Sequence, residues 1–211
     1  MELLRFTGLE RHFGAKEVFR DLSGTLSSVQ DLQDGAGNVP VYDNASGSNV
    51  YSNSGINQDV DAQNVIRFMS GSSTIGQNES RSTKSFTNTA NQLVISENLT
   101  PAYSRNAGLV SSWLRDLTYD RTQHSLRVND RCTVASSVTP VWQLHTPVQP
   151  VRQSDGSYLA GTLRITPVAP ASPTATIVSM RSVNGDYSSG YRLDLRGPAG
   201  TCAFTVQLTA Q

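Results

Sequence analysis

The sequence predicts an all-β protein, an antiparallel β-sandwich, on three observations. Short runs rich in β-branched and aromatic residues recur from residue 64 onward, separated by Ser, Gly and Asn clusters at nearly regular spacing. No helical pattern of a dozen residues interrupts them after residue 24, which argues against an α/β fold. Charged residues are 16% of the chain while Ser, Thr, Asn, Gln and Gly abound, the composition of a β-rich, often extracytoplasmic protein.

The elements follow in chain order. Residues 1–24 hold Leu3, Leu4, Phe6, Leu9, Phe13, Val18, Phe19 and Leu22 among alternating charges, with Gly8 and Gly14 between them. These apolar positions do not share one helical face, so the segment reads as a short helix or an entry strand. Residues 31–62 are loop-like (DGAGN, DNASGSN, SNSGIN), with a short strand around Val39–Tyr42. Predicted strands are Asn64–Met69, Thr83–Asn88, Gln92–Glu97, Leu109–Arg121, His124–Val134, Val141–His145, Tyr158–Val168, Thr176–Val183, Tyr191–Arg196 and Ala203–Thr209. The organisation expected is an N-terminal segment over 1–36 and a β-sandwich domain over 37–211.

One hairpin can be assigned a register. Side chains alternate faces along a strand. Leu109, Trp113, Arg115, Leu117 and Tyr119 therefore share one face, and Leu126, Val128, Asp130, Cys132 and Val134 share another. A loop centred on Thr122–Gln123 sets Tyr119 against Leu126, Leu117 against Val128, Arg115 against Asp130 and Trp113 against Cys132. The two apolar faces then coincide, and a slip of one residue would scramble them. Thr-Gln is a poor two-residue turn, but a four-residue loop keeps the same pairs. Arg115 and Asp130 become a charged pair among apolar neighbours, tolerable because each satisfies the other. The expectation is structural: Arg115, Asp130, Trp113 and Trp142 build the sandwich.

Several function classes lack support. Lys+Arg and Asp+Glu are 17 each, without the basic surplus of a nucleic-acid binder. No apolar run is long enough to span a membrane. The N-terminus is too charged for a secretion signal, so periplasmic or secreted placement would require a signal upstream of Met1. The three histidines, His12, His124 and His145, form no metal-ligand spacing, and neither metal nor cofactor is expected. His124 falls at the hairpin tip and His145 reads as a hydrogen-bonded strand-end residue. Cys132 and Cys202 are either a disulfide or two buried thiols.

The run ENLTPAYSRNAGLVSSWLRDLTYDRTQHSLRVNDRCTV carries Tyr103, then Trp113, Arg115, Leu117 and Tyr119 as W-x-R-x-L-x-Y, then Asp130. VWQLHTP adds Trp142 and His145, and TLRITPVAP and CAFTVQLTA follow. Over roughly residues 92–211 this resembles the C-terminal β-sandwich region of heparinase II/III-like polysaccharide lyases. The resemblance implies a fold of a helical toroid with a β-sandwich, acting on uronic-acid polysaccharides by β-elimination through Tyr and His, with a His/Asp metal site in some members. The toroid and the family's His-rich segment do not occur in this sequence. The expectation is thus the non-catalytic sandwich portion, with an acidic polysaccharide and a helical toroid as partners. A carbohydrate-binding or cell-surface interaction module is the alternative. A divergent complete lyase would use Tyr103, Arg105 and His145.

Overall fold

In a computed structural model the residues described are 5–13, 16–25, 60–62, 64–77, 82–183 and 190–211. The predicted strand at Val39–Tyr42 lies outside them. The architecture is an all-β sandwich of antiparallel sheets. Strands β1 (Arg5–Phe13) and β2 (Lys16–Thr25) pair antiparallel as a two-stranded sheet. Of the two expectations for this segment, the helix is corrected to strand. Glycines at 8 and 14 and apolar residues scattered around the helical wheel leave no continuous face for a helix to bury.

A single turn of 3-10 helix at Val60–Ala62 precedes β3 (Ile66–Ser70) and β4 (Ser73–Thr74). Then come β5 (Thr83–Asn88) and β6 (Gln92–Asn98), a 3-10 segment Thr100–Asn106, β7 (Val110–Asp120), β8 (Ser125–Val134) and β9 (Val138–Thr146). The remainder is β10 (Val151–Arg152), β11 (Tyr158–Ala160), β12 (Leu163–Ala169), β13 (Thr174–Ser179), the one-turn helix α1 (Met180–Val183), β14 (Tyr191–Arg196) and β15 (Cys202–Ala210). An eight-stranded sheet runs β10-β11-β12-β15-β8-β7-β6-β5, and a five-stranded sheet runs β13-β14-β9-β3-β4. No helix among the described residues is long and apolar enough to cross a membrane.

Two predicted strands are broken in the structure. Tyr158–Val168 divides into β11 and β12, because Gly161 takes φ 62° and closes a tight turn that only glycine enters without strain. Thr176–Val183 ends in α1 rather than continuing extended.

The chain divides into two compact units, one of Met1–Val65, Gln143–Pro150 and Ile177–Asp194, the other of Ile66–Trp142, Val151–Thr176 and Leu195–Gln211. In the second unit, β7 and β8 pair as the alternation predicts from Trp113 to Tyr119: Tyr119 with Leu126, Leu117 with Val128, Arg115 with Asp130 and Trp113 with Cys132. At the start of β7 a register shift between Val110 and Ser112 breaks the alternation, so Val110 rather than Leu109 is the fully buried residue there. The loop is Arg121–His124, the four-residue alternative. Asp120 Oδ1 organises it by accepting from the Thr122 N–H at 2.8 Å, the Thr122 hydroxyl at 2.6 Å and the Gln123 N–H at 3.0 Å. Those bonds, the Thr122 hydroxyl foremost, hold the Asp120 carboxyl below its ordinary pKa. His124 takes φ 51°, supplying the left-handed residue the reversal needs.

The apolar rows continue across the sheet. Leu117, Val128 and Val206 stand opposite one another, as do Leu126, Leu208 and Ile165. β3 contributes Ile66 and Phe68, both fully buried. The Phe68 ring meets Trp113 edge-on with centroids 5.6 Å apart, so β3 and β7 are joined by an aromatic edge-to-face contact.

Cys132 and Cys202 stand opposite each other on β8 and β15 and form a disulfide. It closes a loop over a sequence separation of 70, so its removal should cost about 2–4 kcal/mol through the freed unfolded chain. The Cys132→Ala/Cys202→Ala variant should keep its β-rich circular dichroism and lose that amount in a denaturant titration. Wild type with reductant should match it. Equal stability of oxidised and reduced protein would contradict this.

Candidate functional site

Among the described residues two clusters of buried polar side chains stand out, one in each unit. In the second unit the register builds a row of alternating charge. Lys84 on β5 stands opposite Glu97 on β6, Glu97 opposite Arg115 on β7, and Arg115 opposite Asp130 on β8. Directly opposed residues point to the same side of a sheet, and here that side is the core face. Arg115 is 5% exposed and Asp130 is fully buried. Arg115 Nε donates to Asp130 Oδ1 at 2.8 Å and Nη2 donates to Oδ2 at 2.9 Å, a bidentate pair. Trp113 Nε1 donates to Asp130 Oδ1 at 2.8 Å, and the guanidinium carbon lies 5.4 Å from the Trp113 ring centroid, within cation–π range. Lys84 Nζ is 3.5 Å from Glu97 Oε1. Burial pushes the Glu97 carboxyl above its ordinary pKa, while a hydrogen bond with Ser82 and the charges of Lys84 and Arg115 pull the other way.

Tyr103 sits beside this row. Its 3-10 segment is tied to β7 at the start. Leu99 N–H donates to the Trp113 carbonyl at 2.8 Å, Trp113 N–H donates to the Thr100 hydroxyl at 3.0 Å, and Asn98 Oδ1 accepts from Thr100 N–H at 3.0 Å. The segment thereby lays Tyr103 against Phe68 edge-on, with centroids 5.1 Å apart. Tyr103 is fully buried, and its phenol pKa is raised by that burial. Arg105, two residues on, is exposed.

His145 belongs to the first unit. Its backbone N–H donates to Asn64 Oδ1 at 2.7 Å. Ring Nδ1 lies 2.8 Å from the same oxygen, and Nε2 lies 2.9 Å from the Asp61 carbonyl oxygen. Arg192 Nη1 donates to that carbonyl at 3.0 Å. Arg192 also forks onto Asp194, Nε to Oδ1 at 2.7 Å and Nη2 to Oδ2 at 3.0 Å. Asp61 Oδ1 lies 3.5 Å from Arg192. His145, Arg192, Asp194 and Asn64 are all buried. A histidine acting as a base must direct a lone pair at its substrate. Here each ring nitrogen faces an acceptor oxygen inside the fold. His145 reads as a clamp between β9 and the Asp61–Asn64 stretch.

The structure therefore brings Trp113, Arg115 and Asp130 together, with Tyr103 beside them. Trp142 is buried on β9. The tyrosine and the histidine named as catalytic candidates occupy interiors of different units. No cluster of metal-ligating side chains occurs among the described residues. Lys84, Glu97 and the Arg192–Asp194–Asp61 group escaped the sequence reading. A signal existed for three of these five: Glu97 shares the parity of Ile95 in QLVISEN, and Arg192 and Asp194 share a face in YRLDLR.

Two predictions follow the charged row. Asp130→Ala strands a buried guanidinium and the Trp113 N–H, and should cost about 3–5 kcal/mol. Asp130→Asn keeps Oδ1 as an acceptor and should cost less. Arg115→Met with Asp130→Leu should recover only part of the loss, because Trp113 Nε1 keeps no acceptor; adding Trp113→Phe should recover more. Thermal melts of the series order the variants, and unchanged melting temperatures for both Asp130 single variants would contradict a structural pair. The second concerns pH. A carboxyl whose folded pKa is raised contributes stability below its unfolded value and loses it as pH climbs through the folded value. From about 4.5 upward, wild type should lose stability relative to Glu97→Gln. Denaturant midpoints of the two proteins across pH measure this, and a pH-independent difference would refute it.

No protein-family model matches the chain, and no curated protein sequence matches it.

Proposed function

We propose that the chain is a non-catalytic β-sandwich portion of a heparinase II/III-like polysaccharide lyase and forms one wall of a polysaccharide cleft. The observation that carries the non-catalytic half of this reading is the burial of Tyr103 and His145, at 0% and 5% exposure, each engaged within its own core. The polysaccharide half rests on the resemblance, whose W-x-R-x-L-x-Y strand is β7. It draws support from the solvent face of the eight-stranded sheet. There Ser85, Ser96, Asp116 and Asn129 stand in one cross-strand row that ends on the buried Thr205, and Thr118, Arg127 and Gln207 in the next. Arg127 is exposed. Hydroxyls, amides and the Arg127 guanidinium suit a polyhydroxylated acid chain, and the one carboxylate of the row, Asp116, is neutralised by Arg131 at 2.7 Å. A disulfide fits an oxidising, periplasmic or secreted location. A helical toroid is the partner domain this reading entails.

A carbohydrate-binding or cell-surface interaction module is the second reading. It is favoured by how fully the Arg115–Asp130 row is satisfied without help from another domain.

The purified chain should release no ultraviolet-absorbing unsaturated uronates from heparin, heparan, alginate or ulvan. His145→Ala should lower the melting temperature, whereas Arg105→Ala should leave it unchanged. Titration calorimetry with the same polysaccharides should detect binding that Arg127→Ala weakens. Turnover abolished by His145→Ala in a variant that still folds would overturn the non-catalytic reading and favour a complete lyase acting through Tyr103, Arg105 and His145. Absence of binding to any of these polymers would overturn the polysaccharide reading.

A further inference from the structure

Among the described residues strand β5 is the terminal strand of the eight-stranded sheet, and an edge strand carries a row of unpaired backbone N–H and C=O groups. Proteins blunt such edges with short strands, bulges, proline or charge. At the sheet's other end, β10 has only two residues. β5 has six, TKSFTN, without proline, and pairs with β6 from Thr83 to Asn88 without a bulge. Its one charge, Lys84, turns to the core face and is neutralised by Glu97. On that same face Phe86 is 54% exposed. It continues the core row of Ile95, Leu117, Val128 and Val206 onto the edge strand. The long edge strand of the other sheet, β13, instead half-buries Ile177 and Val178.

The backbone phase of β5 can be counted. Thr89 N–H donates to the Gln92 carbonyl at 2.8 Å, which closes the hairpin with a hydrogen-bonded pair. Pairs alternate along an antiparallel ladder. Thr87, Ser85 and Thr83 therefore bond toward β6, and Lys84, Phe86 and Asn88 direct their N–H and C=O groups outward. These three outward residues are centred on Phe86.

We propose that β5 is a self-association edge, at which two copies of the chain pair antiparallel about a twofold axis through Phe86. In this register Phe86 stands opposite its copy, and Lys84 of each chain stands opposite Asn88 of the other. Every outward backbone group then gains a partner. Lys84 meets an amide rather than a second lysine, and remains beside its own Glu97. On the solvent face Ser85 meets Thr87 of the other copy, a hydroxyl pair suited to a ladder. The two phenyl rings cover one another, which a shift of two residues in either direction would forfeit. The contact is isologous, and its small area makes it a weak, reversible dimer. This inference is independent of the polysaccharide reading.

Sedimentation equilibrium of the full chain over a wide range of concentrations tests it, together with single cysteines. Both native cysteines are held in the Cys132–Cys202 bridge, so an introduced thiol stands alone. Wild type should show a monomer–dimer equilibrium. Phe86→Lys should weaken dimerisation at least about tenfold, as loss of a central aromatic contact does, with an unchanged melting temperature because the side chain is exposed. Phe86→Cys should cross-link readily under mild oxidation, since directly opposed residues in a hydrogen-bonded pair lie about 5.5 Å apart at Cα. Thr83→Cys should not, because its copy would lie on the order of 20 Å away along the strand. A chain that stays monomeric, a dimer unaffected by Phe86→Lys, or cross-linking at Thr83 in preference to Phe86 would each overturn the proposal.

Discussion

A guanidinium and a carboxylate buried side by side leave a sheet little freedom to rearrange. Arg115 and Asp130 face each other across β7 and β8 through two charge-assisted bonds, and Trp113 adds a third donor to the same carboxylate. A slip of one residue would turn each of these side chains to the opposite face, separating the charges and sending Leu117 and Val128 into water. The pair need not stabilise the fold relative to an apolar substitute. Its effect is to make every alternative register worse. From β7–β8 the same phase passes to β15, where Asp130 neighbours Phe204 and Cys132 meets Cys202, and to β6, where Glu97 meets Arg115. The disulfide and the outer half of the charged row thus inherit their geometry from one hairpin.

That hairpin is the part of the molecule most legible in the sequence. Its alternation is long, its apolar faces are unambiguous, and its one buried charged pair fits only one phase. The four-residue loop was less legible. It depends on Asp120 bonding forward to Thr122 and Gln123 and on His124 entering the left-handed region, neither of which a turn-propensity argument anticipates. The turn at Gly161 was obscured for a related reason: β-branched and apolar residues continue on both sides of it, so the run reads as one strand until the backbone reverses. The N-terminal strands failed to register as such because their apolar residues follow neither period.

The candidate site was legible in its members but not in its purpose. Tyr103, Trp113, Arg115, Asp130 and His145 all attract attention as residues, since phenols, imidazoles and paired charges are the materials of catalysis. Whether they act on a substrate depends on exposure and on where their polar atoms point. Tyr103 is drawn inward because Thr100 and Leu99 bind the β7 backbone and swing the intervening turn over Phe68 and Trp113. These are contacts across a dozen residues, invisible to local pattern. The buried Glu97 is hidden differently: within β6 alone it looks like an ordinary charged strand residue, and only the identity of its cross-strand neighbours makes its burial tolerable.

The two buried arginines solve the same physical problem with different consequences for specificity. Arg192 neutralises itself locally, against Asp194 two residues along its own strand. A pair of that kind satisfies desolvated charge but says nothing about which strand lies beside it, because it survives any register. Arg115 reaches across to a strand partner, so its satisfaction is conditional on the pairing. What restores specificity to Arg192 is its remaining donor, which goes to the carbonyl of Asp61, the same oxygen that receives His145. A single backbone carbonyl is thereby held by side chains from β9 and β14 at once. The local ion pair supplies the charge balance and the shared carbonyl supplies the long-range constraint. Removing His145 should therefore loosen the Asp61–Asn64 stretch while leaving the Arg192–Asp194 fork intact, the behaviour of a positioning residue rather than of a group held ready for a substrate.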